Sequence, residues 1–474
     1  MTRKLNVAFV HPDLGIGGAE RLVVDAALAL QQRGHAVTLY TMHHDPAHCF
    51  AETRDGTLDV RVGGNWPVPA SVFGKLHILC TILRSLFLAR TIISAAEQYD
   101  VLFVDQLSAP IPLLKYAQAH IFFYCHFPDK LQARRDSVGR QVYRWAFDLL
   151  EELTTGEADE VVVNSRFTQE TFRKAFPRLA KVPKVLMPAL NLQAYDKPVD
   201  LEDPALLALR TEKAMVVSIN RFERKKDVKL AIDAFHSARG QTKDSELCLV
   251  VAGGWDSKVP ENIEHLKELE EHARSLGLRT RTVAPQGISR EARSLLPSDA
   301  VSTPTLLDMD DETPVESEQL ATTDVLFLPS FSENQRAFLL SKAHCILYTP
   351  SNEHLGIVPL EAMYMRVPVV AVNSGGPRET VVHGKTGYLC EPDHLEFAKA
   401  IVKIVGMPDE KRRAMGELGR ARVQEGFGLD AFGSKLEGMF YDMCRRPLYA
   451  SWVMGGFLII FIVCAASFTL FLCW

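Results

Sequence analysis

Two glutamates eight positions apart, Glu353 and Glu361, follow the strand-like run Cys345–Pro350. Glu361 falls one turn into the helical stretch Pro359–Met365, and Glu353 lies on the loop before it. Carboxylates so placed can both aim at one polyhydroxyl ligand, with the helix N-terminus facing its phosphate. Alone, a pair at this spacing arises by chance in many proteins. A basic fork, Arg221 and Lys226 in Asn220-Arg221-Phe222-Glu223-Arg224-Lys225-Lys226, closes another strand-like run. Arginine suits a diphosphate because it bonds bidentately, and lysine adds a point charge. A solvated charged helix face is the plainer alternative. The third element is Gly15-Ile16-Gly17-Gly18-Ala19-Glu20, between an apolar strand and a helix. A glycine turn there exposes N–H groups and lets an anion come close. The dinucleotide fingerprint wants a third glycine where Glu20 stands, which argues against a nicotinamide or flavin cofactor. A tight strand-to-helix turn without ligand is the alternative.

These residues need strands to place them. Residues 5–10, 36–41, 101–106, 121–126 and 160–165 are short apolar runs, each followed by polar or turn residues. A second series occupies 214–220, 247–254, 325–330, 345–350, 368–373 and 387–390. Continuously apolar strands alternating with helices point to parallel sheets in doubly wound folds. Between the series, 191–212 carries prolines and acids and no strand, and reads as the interdomain linker. The expected organisation is a Rossmann-like domain over 1–190, a second over 213–429, and a cleft between them. A helix over 430–446 would return to the first domain. Ligands of such sheets sit at the carboxyl ends of the strands.

Composition narrows the class. The chain has 474 residues, enough for two or three domains at roughly 150 residues each. With 47% apolar and 23% charged residues it is not a disordered chain, and a net charge of −5 gives no field for nucleic acid. Nine scattered cysteines with no C-x-x-C pair, and no N-x-S/T sequon, favour a catalytic part in a reducing compartment.

The C-terminus is different. No charge occurs from Pro447 to Trp474, and Trp452–Trp474 as a helix would reach about 35 Å, against about 30 Å for a bilayer core. Residues 447–474 therefore read as a transmembrane anchor. Arg445 and Arg446 before it place the large N-terminal part in the cytosol and the C-terminus in the lumen. Residues 76–96 are apolar too, but Arg84 and Arg90 make a span costly. The preferred reading is a helix lying on the membrane surface, with a core helix as the alternative.

Together these elements resemble the retaining nucleotide-sugar glycosyltransferases of the GT-B fold, glycosyltransferase family 4. Glu353 and Glu361 match that family's Glu-x7-Glu motif, Arg221 and Lys226 its Arg and Lys, Gly17 and Gly18 its Gly-Gly loop, and His126 its histidine after a middle strand. Further segments, including YCHFPD (124–129), VNSRFT (163–168), INRFERKK (219–226), TPSNEHLGIVPLEAM (349–363) and NSGGPRET (373–380), are similar to the endoplasmic-reticulum mannosyltransferases of dolichol-linked oligosaccharide assembly. Residues 256–320 are the least similar part.

The resemblance implies roles. Glu361 would hold the ribose hydroxyls, and Glu353 would contact mannose hydroxyls near the reacting carbon. Arg221 and Lys226 would neutralise the diphosphate as the glycosyl bond breaks. Amides around Leu355, Gly356 and Ile357, with those of Gly17 and Gly18, would share that task. His126 would hydrogen-bond the transferred sugar, a locally satisfied core histidine being the alternative. Implied partners are GDP-mannose, a dolichyl-diphosphate-linked acceptor, the endoplasmic-reticulum membrane and other transferases of the pathway. The implied reaction adds two mannoses, α-1,3 and α-1,6, to Man-GlcNAc2-diphosphodolichol. The stripe Lys130, Arg134, Arg135, Arg140 and Arg144 is either an acceptor or headgroup site or a solvated face. Asp308-Met309-Asp310 has the D-x-D form of metal–nucleotide sites but reads as surface loop, so no metal and no cofactor are expected. A transferase for another nucleotide sugar or lipid acceptor, and a non-catalytic tail-anchored scaffold, remain alternatives.

Overall fold

The computed structural model describes residues 3–64, 68–71, 76–133, 138–241, 247–302 and 322–449, with the backbone alone at 138–140, 142 and 143. The chain forms two compact units. One combines Met1–Ala189 with the segment from Phe427 onward, and the other is Leu190–Gly426.

Unit 1 runs β1 (Asn6–Asp13), α1 (Gly18–Gln32), β2 (Ala36–His43), β3 (Asp59–Val62), α2 (His77–Ile93), β4 (Val101–Asp105), α3 (Ile111–Leu114) and β5 (His120–Cys125). It continues through α4 (Asp129–Gln132), α5 (Val138–Gly156), β6 (Glu160–Val163), α6 (Arg166–Ala175) and β7 (Lys184–Val185). Its seven strands are all parallel in the order β3-β2-β1-β4-β5-β6-β7. Every residue of β4, β5 and β6 is buried, as expected of strands covered by helices on both faces. The short edge strands β3 and β7 lack this apolar signature, and the sequence reading missed them.

Unit 2 contains α7 (Leu192–Tyr195), β8 (Ala214–Ile219), α8 (Val228–Arg239), β9 (Leu247–Gly253), α9 (Pro260–Ser275), β10 (Thr280–Thr282) and α10 (Arg290–Arg293). Then come β11 (Val325–Pro329), α11 (Glu333–Lys342), β12 (Ala343–Tyr348), α12 (Ile357–Tyr364), β13 (Val369–Val372), α13 (Pro377–Thr380), β14 (Gly387–Cys390), α14 (His394–Val405) and α15 (Asp409–Phe427). This sheet is again seven-stranded and parallel, ordered β10-β11-β9-β8-β12-β13-β14. Its main core joins the inner faces of β8, β9 and β11 to α8, α9 and α14. β10 lies within the least familiar stretch of sequence and extends the sheet edge beyond β11.

The last described helix, α16 (Leu429–Cys444), belongs to unit 1 and packs along α1. Phe432, Leu436, Phe440 and Met443 are buried in the core beneath β1, β4 and β5. Close approach of the two helices requires Gly433, where a Cβ would stand 2.9 Å from the Cβ of Ala29. Arg33 Nη1 reaches Asp430 at 2.8 Å, and His35 Nε2 lies 3.0 Å from Glu437.

Two expectations change. Residues 191–212 are no free linker: Asp203 caps a turn of 3-10 helix over 204–209 whose Ala205, Leu206 and Leu209 are buried in unit 2. Residues 76–96 do not lie on a surface with their apolar side. α2 buries Cys80, Ile82, Leu88, Ala89 and Ile92, and Arg84 Nη2 donates to the Met42 carbonyl at 2.9 Å. The expected anchor falls almost wholly on residues 450–474, which lie outside the described residues. Among the described residues no helix is long and apolar enough to cross a membrane.

Candidate functional site

Unit 2 brings the basic fork and the two glutamates to neighbouring strand ends, those of β8 and β12. β8 and β12 pair in parallel, so the segments after Ile219 and Tyr348 leave the sheet side by side. After β8 the chain makes a single 3-10 turn over Arg224–Lys226, closed by Asp227 at φ 47°. Thr349 Oγ1 donates to the Lys226 carbonyl at 2.7 Å, tying that turn to the end of β12. Lys226 Nζ then meets Glu353 Oε2 at 2.5 Å, with both side chains largely covered. Arg221, by contrast, is 72% exposed in its side chain, with Glu223 3.6 Å away. The approach is tight: a Cβ on Gly253 would stand 1.6 Å from the Asn220 carbonyl oxygen, so glycine ends β9 there.

Glu353 is held by backbone. Asn352 adopts φ 56°, and its side chain accepts from Ser374 Oγ at 3.0 Å. Gly376 N–H donates to the Glu353 carbonyl at 2.8 Å. Gly375, at φ 60°, approaches so closely that a Cβ would lie 2.3 Å from the same oxygen. Gly356 precedes α12 at φ 79°, against the Tyr348 ring. Leu355 is buried and Ile357 exposed. Burial, then the nearby Glu353 carboxylate, pushes the Tyr348 hydroxyl well above its ordinary range.

Glu361 sits inside α12, 5% exposed. Tyr195 Oη, from α7, donates to its Oε1 at 2.6 Å, and Arg336 Nη1 of α11 lies 3.7 Å from the same oxygen. Its other oxygen, Oε2, is buried with no hydrogen-bond partner in the structure. An unpartnered buried carboxylate oxygen is costly, and a hydroxyl ligand would relieve it. Tyr195 and Arg336 were missed from sequence. Tyr195 lay in the stretch read as linker, and Arg336 had no motif around it.

In unit 1 the Gly15–Gly18 turn leads directly into α1, with Gly17 as its N-cap residue. Gly17 has extended backbone, so its lack of a side chain has another cause. A Cβ there would stand 2.2 Å from Glu20 Oε2, because the Glu20 carboxylate folds back over the turn. Gly18 has open space around it. His126 follows β5, its side chain mostly covered, with Nε2 2.8 Å from Asp105 Oδ1.

Of the basic stripe, Lys130 and Arg144 are turned toward the protein. Arg144 is 5% exposed and its guanidinium lies 2.9 Å from Asp129 and 3.4 Å from Asp148. Lys130 Nζ lies over the Phe176 ring, 3.8 Å from Glu152. These two cations are spent on the protein itself. Arg134, Arg135 and the side chain of Arg140 lie outside the described residues, as do Asp308 and Asp310.

Two seven-stranded Rossmann-like units with a lysine–glutamate pair and a second, half-satisfied glutamate at the strand ends of one are built as a GT-B glycosyltransferase is. Solved structures agree on the fold: an Anabaena HepE complex with UDP matches at TM-score 0.63 and 17% identity, over 92% of this chain and all of that one. The catalytic domain of Arabidopsis thaliana starch synthase IV matches at TM-score 0.63 and 14% identity, over 94% of this chain and 100% of that one. Residues 16–185 match the model of Glycosyltransferase Family 4, and 200–304 with 310–422 match Glycosyl transferases group 1. The chain is 47% identical over 450 residues to the alpha-1,3/1,6-mannosyltransferase ALG2 of Rhizomucor pusillus, covering 93% of this chain and 92% of that one. It is 43% identical to the Homo sapiens ALG2, over 91% and 95%. The chain belongs to the ALG2 family of alpha-1,3/1,6-mannosyltransferases.

Proposed function

We propose that this protein transfers two mannoses from GDP-mannose, α-1,3 and then α-1,6 with retention, to Man-GlcNAc2-diphosphodolichol on the cytosolic face of the endoplasmic reticulum. The supporting observation is full-length similarity to ALG2 proteins in a chain whose Lys226, Glu353 and Glu361 converge at two adjacent strand ends. In this reading the buried free oxygen of Glu361 takes the ribose hydroxyls. Lys226 and the exposed Arg221 carry the charge that develops on the diphosphate. The Lys226–Glu353 pair is the resting arrangement, and the incoming diphosphate shares the lysine.

The acceptor hydroxyl attacks the anomeric carbon on the face from which GDP departs. Its C–O bond forms as the bond from that carbon to the phosphate oxygen breaks, and the hydroxyl proton passes to the departing phosphate. No side chain serves as nucleophile, and Glu353 orients mannose hydroxyls. The apolar residues 447–474 anchor the enzyme, with the catalytic part cytosolic and the C-terminus lumenal.

The test uses the full chain in detergent with GDP-mannose and a lipid diphosphate bearing one mannose on two N-acetylglucosamines. The expected product has gained two hexoses, and Glu353→Ala and Glu361→Ala lose it. A gain of one hexose overturns the second linkage. No gain, with UDP-sugars also inert, overturns the transferase reading. An engineered sequon after Trp474 that stays unglycosylated in cells overturns the lumenal C-terminus.

A further inference from the structure

His126 is one end of a line of four titratable side chains. Its Nε2 meets Oδ1 of Asp105, the last residue of the neighbouring strand β4, at 2.8 Å. The contact is close but poorly aligned, for neither atom has a hydrogen bond of good geometry. The other carboxylate oxygen, Oδ2, is 2.8 Å from Nδ1 of His11 on β1, the strand on the opposite side of β4. His11 Nε2 lies 3.8 Å from Oε1 of Glu20, an ion-pair distance with no hydrogen bond. Glu20 belongs to the first turn of α1, and its carboxylate takes the space of the Cβ that Gly17 lacks. The line runs Glu20, His11, Asp105, His126.

Such a line is costly to bury and is not required to close the sheet. Asp105 and His11 are almost wholly buried among strands that are otherwise apolar at this depth. An ionised carboxylate only accepts hydrogen bonds, so Nδ1 of His11, bonded to Oδ2, is a protonated nitrogen. The same carboxylate, 2.8 Å from Nε2 of His126, favours the tautomer of that ring with its proton on Nε2. In that tautomer Nδ1 of His126 keeps its lone pair for a ligand.

We infer that Asp105 is a positioning residue for His126, and that His11 and Glu20 fix Asp105 in turn, so that the Nδ1 lone pair of His126 accepts a hydroxyl of the transferred sugar. The inference rests on the reading that His126 contacts that sugar. Gly17 is then glycine for a reason beyond anion approach. Any side chain there would push Glu20 off His11 and loosen the line from its far end.

A double-mutant cycle on the full-length enzyme, assayed as above, decides between relay and scaffold. His126→Ala is expected to lower kcat by roughly 100-fold. Asp105→Asn is expected to lower kcat roughly tenfold with KM for GDP-mannose little changed, and to cost nothing further in the His126→Ala background. Glu20→Gln is the milder probe, with roughly a threefold loss that also vanishes in that background. It carries the test should Asp105→Asn fail to give a melting transition. In 15N-histidine-labelled enzyme, Nε2 of His126 is expected to carry the proton, and Asp105→Asn to shift it toward Nδ1. Equal losses in both backgrounds, or a proton already on Nδ1, overturn the relay while leaving His126 in its role. Full activity of His126→Ala overturns the sugar-contact reading itself, and the relay with it.

Discussion

Tyr195 donates to one oxygen of Glu361 at 2.6 Å, and the second oxygen of that carboxylate is buried with no partner. The tyrosine fixes the carboxylate plane, and burial beside Glu361 pushes its own hydroxyl well above the usual range, so it stays a donor at every working pH. Tyr195→Phe should therefore weaken nucleotide binding by roughly tenfold, the worth of one hydrogen bond to a charged group, with kcat at saturation little affected. Titration calorimetry with GDP reads it directly. Glu361→Gln should lose more, because the amide nitrogen cannot accept the second ribose hydroxyl.

Lys226 should matter for chemistry more than for stability. Its pair with Glu353 is partly solvated, and pairs of that kind contribute about 1 kcal/mol or less. Lys226→Met is expected to move the melting temperature little and to lower kcat by at least about 100-fold, the loss typical of one group that stabilises developing charge. A melting curve and a product time course on the same sample separate the two effects.

Gly375→Ala tests the backbone clamp. The new Cβ would meet the Glu353 carbonyl at 2.3 Å, in a left-handed conformation that alanine disfavours. Overpacking against rigid backbone costs about 1–3 kcal/mol. Stability should fall by that order, and activity should fall further because the shift is delivered to Glu353. Gly384→Ala is the control: it has a positive φ but nothing near its Cβ, so it should cost only the backbone term of roughly 1 kcal/mol.

Unit 1 should weaken as pH rises above neutrality. Burial alone would lower the pKa of His11, but its contacts with Asp105 and Glu20 outweigh it and raise the value to about 9 from 6.5. A raised histidine pKa means that the folded state holds its proton more tightly than the unfolded chain does. The stabilisation is complete below pH 6.5 and is lost as pH climbs through about 9. Its ceiling is roughly 3 kcal/mol at 1.36 kcal/mol per unit. Scanning calorimetry from pH 6 to 9.5 should show a falling transition, and Asp105→Asn should flatten it.

The alternation of apolar runs carried most of this architecture, because strands covered on both faces have no choice but to be apolar. β4 and β5 announce themselves, whereas β3, with Asp59 and Arg61 at an exposed edge, does not. The glutamate pair, Arg221 and Lys226 drew notice in the sequence because each lies in a segment that follows a recognisable strand. Asp105 was equally placed, as the single acid closing Val101–Asp105, and a polar residue ending a buried parallel strand was the available signal. Arg144 misled for the opposite reason: a run of cations in sequence says nothing of Asp129, which meets it only once α4 packs on α5, or of Asp148, one turn further along α5 itself. Tyr195 had no local signal, since its meaning depends on a partner 166 positions later.

Unit 1 is assembled from the two ends of the chain, and this orders the events of its birth. Phe432, Leu436, Phe440 and Met443 complete a core begun by Val7 and Phe9, so that core stays open until the ribosome has made almost everything else. Unit 2 is one continuous stretch and suffers no such delay. During synthesis the nascent N-terminal sheet must wait with an apolar flank uncovered, and α16 arrives last as its lid. A stop codon ahead of Leu429 would therefore strike first at the half of the protein farthest from it in sequence.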